Sequence, residues 1–345
     1  MHRFPNESWT SDCIDLTLPE FQSPDETDYM TEQTHLPAPT VSVVMPVRNG
    51  GAFINDAVQS VVSQDFRDIE LLIIDDGSTD FDYDQFATQD VRVRVIHLPQ
   101  VGVSRARNTG IREARGRFVA FLDADDVWFP GKLTAQVRYL EKHAGVGVVF
   151  GEIKRWYADA DGQFLPAHDH TVDVSALSAC DPSRSGWIYT LLLMGLLIGM
   201  SAPLVRRSVF SSVGLLNEEM SIGEDYEFWL RTSRATEMHC LAGQIFLYRF
   251  HRKSTMEQIP NENHLGQILL SAREKWGLGG PGNSQPVGER EFDRRIGQIE
   301  FSYGYRHYWE GNRTVARRAF ANAFLRGVMP VRSLVYYLLC VIHVW

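Results

Sequence analysis

Cysteine is scarce: four in 345 residues (Cys13, Cys180, Cys240, Cys340), scattered and without a CxxC pair. That excludes a disulfide framework and fits free thiols in a reducing compartment. Long apolar runs are missing too. Trp187–Met200 spans 14 residues and Leu334–Trp345 only 12, whereas a membrane-crossing helix needs ~20. No basic stretch followed by an apolar run opens the chain, so no secretory signal is expected. There is no basic domain or stripe either, which argues against nucleic acid as a partner. Together these absences predict a cytoplasmic chain.

Hydrophobic residues make up 44% and charged residues 22%, enough for a sizeable core. This length accommodates one large α/β domain with an appendage, or two modest domains. The formal charge of −9 is concentrated at the front. Residues 1–40 carry eight acids (Glu7, Asp12, Asp15, Glu20, Asp25, Glu26, Asp28, Glu32) against Arg3, leaving −2 for the remainder. This polar, proline-containing segment lacks sustained periodicity and reads as a disordered or loosely packed extension.

From Val41 onward, short β-branched apolar runs alternate with helical patterns. Strands are expected at Val41–Val47, Ile69–Asp75, Val91–Leu98, Phe118–Leu122 and Val146–Phe150, with helices over Ala52–Ser63, Val103–Ala114 and Pro130–His143. Nearly continuous apolar runs suit strands covered on both faces, and the alternation predicts a doubly wound, mostly parallel sheet with helices on both faces. Ligands bind beyond the carboxyl ends of such strands. Later in the chain, 158–186 reads as a long polar loop over the site, Met200–Val205 as a strand, Gly223–Arg234 as a helix, and Met238–Arg249 contains another strand. Gly277–Gly288 is a linker by composition. Beyond it, Glu289–Glu310 and Thr314–Leu325 form a helix pair like a single tetratricopeptide unit, a small appendage.

Acids cluster at three predicted element ends: Asp75-Asp76-Gly77-Ser78, Asp123-Ala124-Asp125-Asp126 and Gly223-Glu224-Asp225. Crowded carboxylates repel unless a cation or hydrogen-bond donors intervene. Asp123 and Asp125, two apart on extended chain, can point the same way and suit a hard divalent cation shared with phosphates. The plain alternative is that Asp favours the turn leaving a strand; the preceding FVAFL run, which fixes the pair at the ligand edge, favours the cation. Asp75 to Ser78 reads equally as a turn or as an acceptor for a base N–H, with Gly77 allowing close approach. Glu224 and Asp225 open a helix, where acids are favoured anyway, or supply a general base. Arg107 and Asn108 lie on a helix as a solvated face or as phosphate contacts. His251 is either structural or a metal ligand.

In order and spacing these motifs resemble family 2 glycosyltransferases with the GT-A fold. The likeness runs from Val41–Asp80 through Gly102–Asn108, Phe118–Leu133, Gly223–Arg231 (GEDYEFWLR) and Tyr248–Thr255 (YRFHRKST). It covers about residues 41–257, leaving 1–40 as the extension and 258–345 as a C-terminal helical region. The resemblance implies that Pro46, Val47 and Arg48 line the nucleoside pocket and that Asp76, within the Asp75–Ser78 turn, reads the uracil or thymine edge. It places Arg107 and Asn108 near the ribose or diphosphate, and Asp123 and Asp125 at a metal site holding Mg2+ or Mn2+. It implies that Asp123 also touches the ribose, that His251 helps hold the metal or diphosphate, and that Asp225 is the base with Glu224 as its substitute. Arg105 departs from the small residue frequent there, and Arg48 from the frequent Tyr.

The implied reaction is inverting transfer of a sugar from a nucleotide-diphosphate donor, UDP- or dTDP-linked, to the hydroxyl of a glycan or lipid-linked acceptor in surface polysaccharide or glycoconjugate assembly. Two rivals remain. A sugar nucleotidyltransferase would need a Gly- and Lys/Arg-rich loop after the first strand, of which Arg48-Asn49-Gly50-Gly51 is a poor version. A non-catalytic carbohydrate- or protein-binding module would not need acids at all three sites. At the C-terminus, Arg313, Arg317, Arg318, Arg326 and Arg332 accompany the apolar Leu334–Trp345. That combination suits either peripheral contact with the inner face of a membrane or a helix packed on the catalytic domain.

Overall fold

A computed structural model describes residues 38–170, 174–251, 259–282 and 284–342. Residues 1–37 of the extension, Cys13 among them, lie outside the described residues, as do Arg252-Lys253-Ser254-Thr255 of the last motif, the 257/258 boundary and the end of the apolar Leu334–Trp345 stretch.

The first half follows the alternation. Strands β1 (Val41–Val47), β2 (Ile69–Asp75), β3 (Val93–His97) and β4 (Phe118–Phe121) are interleaved with helices α1 (Ile54–Val62), α2 (Gln85–Gln89) and α3 (Val103–Glu113). The sequence continues with β5 (Val127–Trp128), α4 (Lys132–Lys142), β6 (Val146–Tyr157), β7 (Cys180–Gly186), α5 (Tyr189–Leu193), β8 (Leu204–Arg206), α6 (Arg207–Val213), α7 (Glu224–Thr232) and β9 (Glu237–Phe250). Helices α8 (His264–Trp276), α9 (Glu289–Glu310), α10 (Arg313–Leu325) and α11 (Pro330–Ile342) complete the described chain.

The strands form one sheet in the order β3-β2-β1-β4-β8-β6-β9-β5, with β7 also on β9. β1, β2, β3 and β4 run parallel. β8 is antiparallel to both of its neighbours, β4 and β6, which makes the whole a mixed sheet. Every residue of β1, β2 and β4 is buried, as expected where helices cover both faces. Gly110 makes one such covering close: a Cβ there would lie 2.3 Å from Val44 Cγ1, so only glycine lets α3 rest on β1.

The stretch 158–186 is not one long loop. It contains 3-10 turns at Ala167–Asp169 and Val174–Ser178 and returns to the sheet as β7, antiparallel to β9. Its CDPSRSG sequence has no apolar alternation because none of its positions is fully buried, so the usual strand signal is absent. α8 belongs to the C-terminal helical region, over residues to which no individual helix was assigned. The carboxyl ends of the parallel strands β1, β2 and β4 lie on one edge of the sheet, and those of β2 and β4 lead into acidic turns.

Candidate active site

At the end of β2 the two adjacent acids have separate tasks. Asp75 accepts from the Ser78 backbone N–H at 2.9 Å and bonds His97 Nδ1 at 2.9 Å. Burial raises its carboxyl, but the Ser78 and His97 bonds outweigh burial and hold it below the ordinary range. Asp76 points the other way and accepts from the N–H groups of Val101 (2.5 Å) and Gly102 (2.9 Å). It therefore fixes the loop leading into α3. Gly77 allows this approach. Its φ is +73°, and a Cβ would meet the Gln100 backbone nitrogen at 2.8 Å. Ser78 Oγ accepts from Asn49 N–H at 2.9 Å, tying this turn to the loop after β1. Pro46 and Val47 are buried at the end of β1, where the Val47 carbonyl accepts from Asp76 N–H, and Arg48 stands exposed beside them.

Arg107, on α3, bridges two of the three acidic clusters. Nη1 donates to Glu224 Oε1 at 2.7 Å and Nη2 to Asp123 Oδ1 at 2.6 Å, with the side chain 6% exposed. Burial disfavours its charge, yet Asp123 and Glu224 outweigh burial, so Arg107 stays protonated. Asn108 turns away from this ion triad. Its amide donates to the Leu216 carbonyl (2.9 Å) and Glu218 Oε1 (3.0 Å), and Oδ1 accepts from Leu216 N–H (3.0 Å). It holds the loop that precedes α7.

Asp225 sits beside Glu224 on the first turn of α7. Its carboxylate bonds the adjacent Tyr226 N–H at 2.7 Å and has no ion pair among the described residues. Burial first, then the Glu224 charge, push it up to about 6, against the pull of Arg107.

The turn after β4 is braced from β9. Asp125 Oδ2 lies 2.9 Å from His251 Nε2, and the Asp125 carbonyl accepts from Arg249 Nε at 2.9 Å. The His251 ring also packs on Phe53, with centroids 4.7 Å apart. Asp123 N–H donates to Ser201 Oγ at 3.1 Å, and Ser201 Oγ donates to Asp126 Oδ2 at 2.5 Å.

The donor set fits a hard divalent cation, although no three-ligand cluster of His, Cys, Asp or Glu forms among the described residues. The side chains of Asp123 and Asp125 remain 30% and 34% exposed. A carboxylate has about four lone-pair directions, and the bonds to Arg107 and His251 take only one from each acid. A cation that fills its shell with substrate oxygens and water needs no closed protein cage.

The sequence model of glycosyl transferase family 2 matches residues 42–169, the span of β1 to β6 with both Asp-rich turns. An uncharacterised glycosyltransferase of Haemophilus influenzae is 30% identical over 197 residues, which cover 56% of this chain and 71% of that one. This chain belongs to glycosyl transferase family 2. An uncharacterised glycosyltransferase of Rickettsia felis is 27% identical over 243 residues, 68% of this chain, and the chain spans only 38% of that relative's length. The fold is the GT-A fold. Staphylococcus aureus TarS 1–349 in complex with UDP-GlcNAc matches with a TM-score of 0.57 at 17% identity, over 83% of this chain and 81% of that one. The mannosyltransferase PcManGT from Pyrobaculum calidifontis, in complex with GDP-Man and Mn2+, matches with a TM-score of 0.53 at 16% identity, over 87% and 79%.

Three residues of this family 2 chain stand at the site without having been given a role from sequence, Asp126 having entered only as a member of its acidic cluster. Arg249, 4% exposed, donates through its backbone N–H to Asp126 Oδ1 (3.3 Å) and through Nη2 to Asp56 (2.9 Å), with its guanidinium 3.9 Å from the centre of the Trp156 ring. Asp126 is 1% exposed. Burial, then Asp125 and Asp123, push its carboxyl well above the ordinary range, so it serves as an internal brace. Ser201 links Asp126 to Asp123. The available signal was the two-residue spacing of Arg249 and His251 on the same motif; a lone serine offered none.

Proposed function

We propose that this chain is an inverting glycosyltransferase using a nucleotide-diphosphate sugar, UDP- or dTDP-linked, with Asp225 as the base. The observation that carries this reading is the asymmetry of the acidic edge. Glu224 and Asp123 share one buried arginine, while Asp225 beside them has no ion pair among the described residues and a carboxyl raised to about 6. A base poised near operating pH accepts a proton best.

Each residue then has a task. The Asp76 carboxylate fixes the Val101–Gly102 loop and, with Pro46, Val47 and Arg48, shapes the nucleoside pocket. Asp75 and Ser78 hold that turn rigid, and Gly77 keeps it close. Arg107 fixes Asp123 towards the ribose and Glu224 away from the acceptor, leaving Asp225 to take the acceptor hydroxyl proton. Asn108 acts by holding the Leu216–Glu218 loop ahead of α7. Asp125 and His251, with Asp123 beside them, would hold Mg2+ or Mn2+, which when bound stabilises the negative charge growing on the departing diphosphate. Attack from the face opposite the diphosphate inverts the anomeric carbon. The nucleotide sugars named with TarS and PcManGT support the donor class, and Mn2+ with PcManGT supports the cation. A glycan or lipid-linked acceptor and a role in surface polysaccharide or glycoconjugate assembly rest on the family alone.

Incubation with Mn2+ and a panel of UDP-, dTDP- and GDP-sugars, read by mass spectrometry, tests the proposal. One donor should lose its sugar with release of UDP or dTDP. Calorimetric binding without turnover of any donor would point instead to a binding module.

A further inference from the structure

Helix α11 turns its apolar side to solvent. Its buried positions are Ser333 and Cys340. Ser333 Oγ donates to the Val328 carbonyl at 2.8 Å, and Tyr336 stacks on Phe320 with centroids 5.1 Å apart. The outward residues are Val331, Leu334, Val335, Leu338, Val341 and Ile342, between 38% and 75% exposed. At 100° per residue they form one continuous stripe, the reverse of a helix that packs its apolar face on a core. A scattered exposed leucine needs no explanation, but an unbroken apolar stripe along a whole helix does.

Charge indicates what covers this stripe. The chain has a net charge of −9, yet residues 311–345 contain five arginines and no Asp or Glu. Arg332 stands exposed on α11 itself and Arg318 stands exposed on the preceding α10, whereas Arg313 and Arg317 are half-buried. A second copy seated here would bring arginines against arginines, which disfavours self-association. Thirteen residues rise about 20 Å, and no described helix is long and apolar enough to cross a membrane.

We infer that α11 lies in the plane of an anionic membrane surface, its Val331–Ile342 stripe among the lipid headgroups and acyl boundary, with the exposed Arg318 and Arg332 drawn to the lipid phosphates. This docking is independent of the transferred sugar and of the base, so it stands or falls separately from the proposed reaction.

Co-sedimentation of the full chain with vesicles of mixed phosphatidylglycerol and phosphatidylcholine, against phosphatidylcholine alone, tests it. The chain should pellet with the anionic vesicles and much less with the neutral ones. Leu334→Ser/Leu338→Ser should reduce binding at least about tenfold, since each buried CH2 contributes ~0.8 kcal/mol. Arg318→Gln/Arg332→Gln should reduce it by about tenfold or more at ~1 kcal/mol per arginine. Val335→Trp should strengthen binding to the anionic vesicles, because Trp favours the interface, with no pelleting in the absence of vesicles, which separates the gain from misfolding. Equal pelleting with both vesicles, no effect of these variants, or a dimer in solution that Leu334→Ser/Leu338→Ser dissociates would overturn the inference.

Discussion

Glu224 and Asp225 are neighbours in the chain and opposites in chemistry. Glu224 Oε1 accepts from Arg107 Nη1 at 2.7 Å, whereas Asp225 bonds only backbone among the described residues and its carboxyl is raised to about 6. Two acids placed side by side are thus separated into an ion-paired anchor and, in the proposed role, a proton acceptor. Environment, rather than residue type, makes the distinction.

This separation has a pH signature. In the proposed role ionised Asp225 is the active form, so kcat should fall as pH drops through about 6. The stability effect has the opposite sign. A carboxyl raised from about 3.9 in the unfolded chain weakens the fold above its folded value and ceases to do so as pH falls below it. Asp225→Asn should therefore raise stability at pH 7 by of order 1–2 kcal/mol, read as a higher Tm, with the gain vanishing near pH 4.

Arg107 makes the converse prediction. Replacing it with Ala leaves Asp123 and Glu224 without their shared cation, and loss of one partner from a buried ion pair costs about 3–5 kcal/mol. Urea unfolding should show that loss for Arg107→Ala. Arg107→Ala/Glu224→Ala should recover part of it, because one of the stranded charges is gone.

The Asp76 turn should respond through donor binding. Asp76→Asn keeps one carbonyl oxygen for the two N–H groups of Val101 and Gly102, stranding a donor at about 1–3 kcal/mol. Gly77→Ala forces a Cβ towards Gln100 at a positive φ. Both variants should raise the donor KM more than they lower kcat in steady-state assays.

Asn108 separates holding a loop from contacting the donor. Its three bonds all run to Leu216 and Glu218, so Asn108→Ala should lower stability by about 1–3 kcal/mol while leaving the calorimetric affinity for UDP nearly unchanged. A large loss of affinity at full stability would assign it a direct contact instead.

Much of this site was legible in the sequence. Apolar runs covered on both faces gave β1, β2 and β4, and the acids at their ends could be placed on one edge before any coordinates. Partnership was not legible. Nothing in the spacing of Arg107, Asp123 and Glu224 says that the Arg107 guanidinium joins Asp123 to Glu224, which lies 117 positions from Arg107, because the contact depends on how α3 meets α7. Asn108 stood next to Arg107 in the same motif, yet one helical step turns it to another loop. β7 was invisible because a polar edge strand has no apolar alternation. The outward stripe of α11 was visible as hydrophobicity, but which side faced solvent required the packing of Ser333 and Tyr336.

The most direct test of the central claim is a paired measurement on Asp225→Asn: transfer rate with saturating donor and acceptor, and donor affinity by calorimetry in the presence of Mn2+. The account predicts a fall in kcat of about 10²–10⁴, the usual contribution of a general base, with donor affinity within a few-fold of the parent chain. Turnover within a few-fold of the parent would contradict it and remove Asp225 from the chemistry.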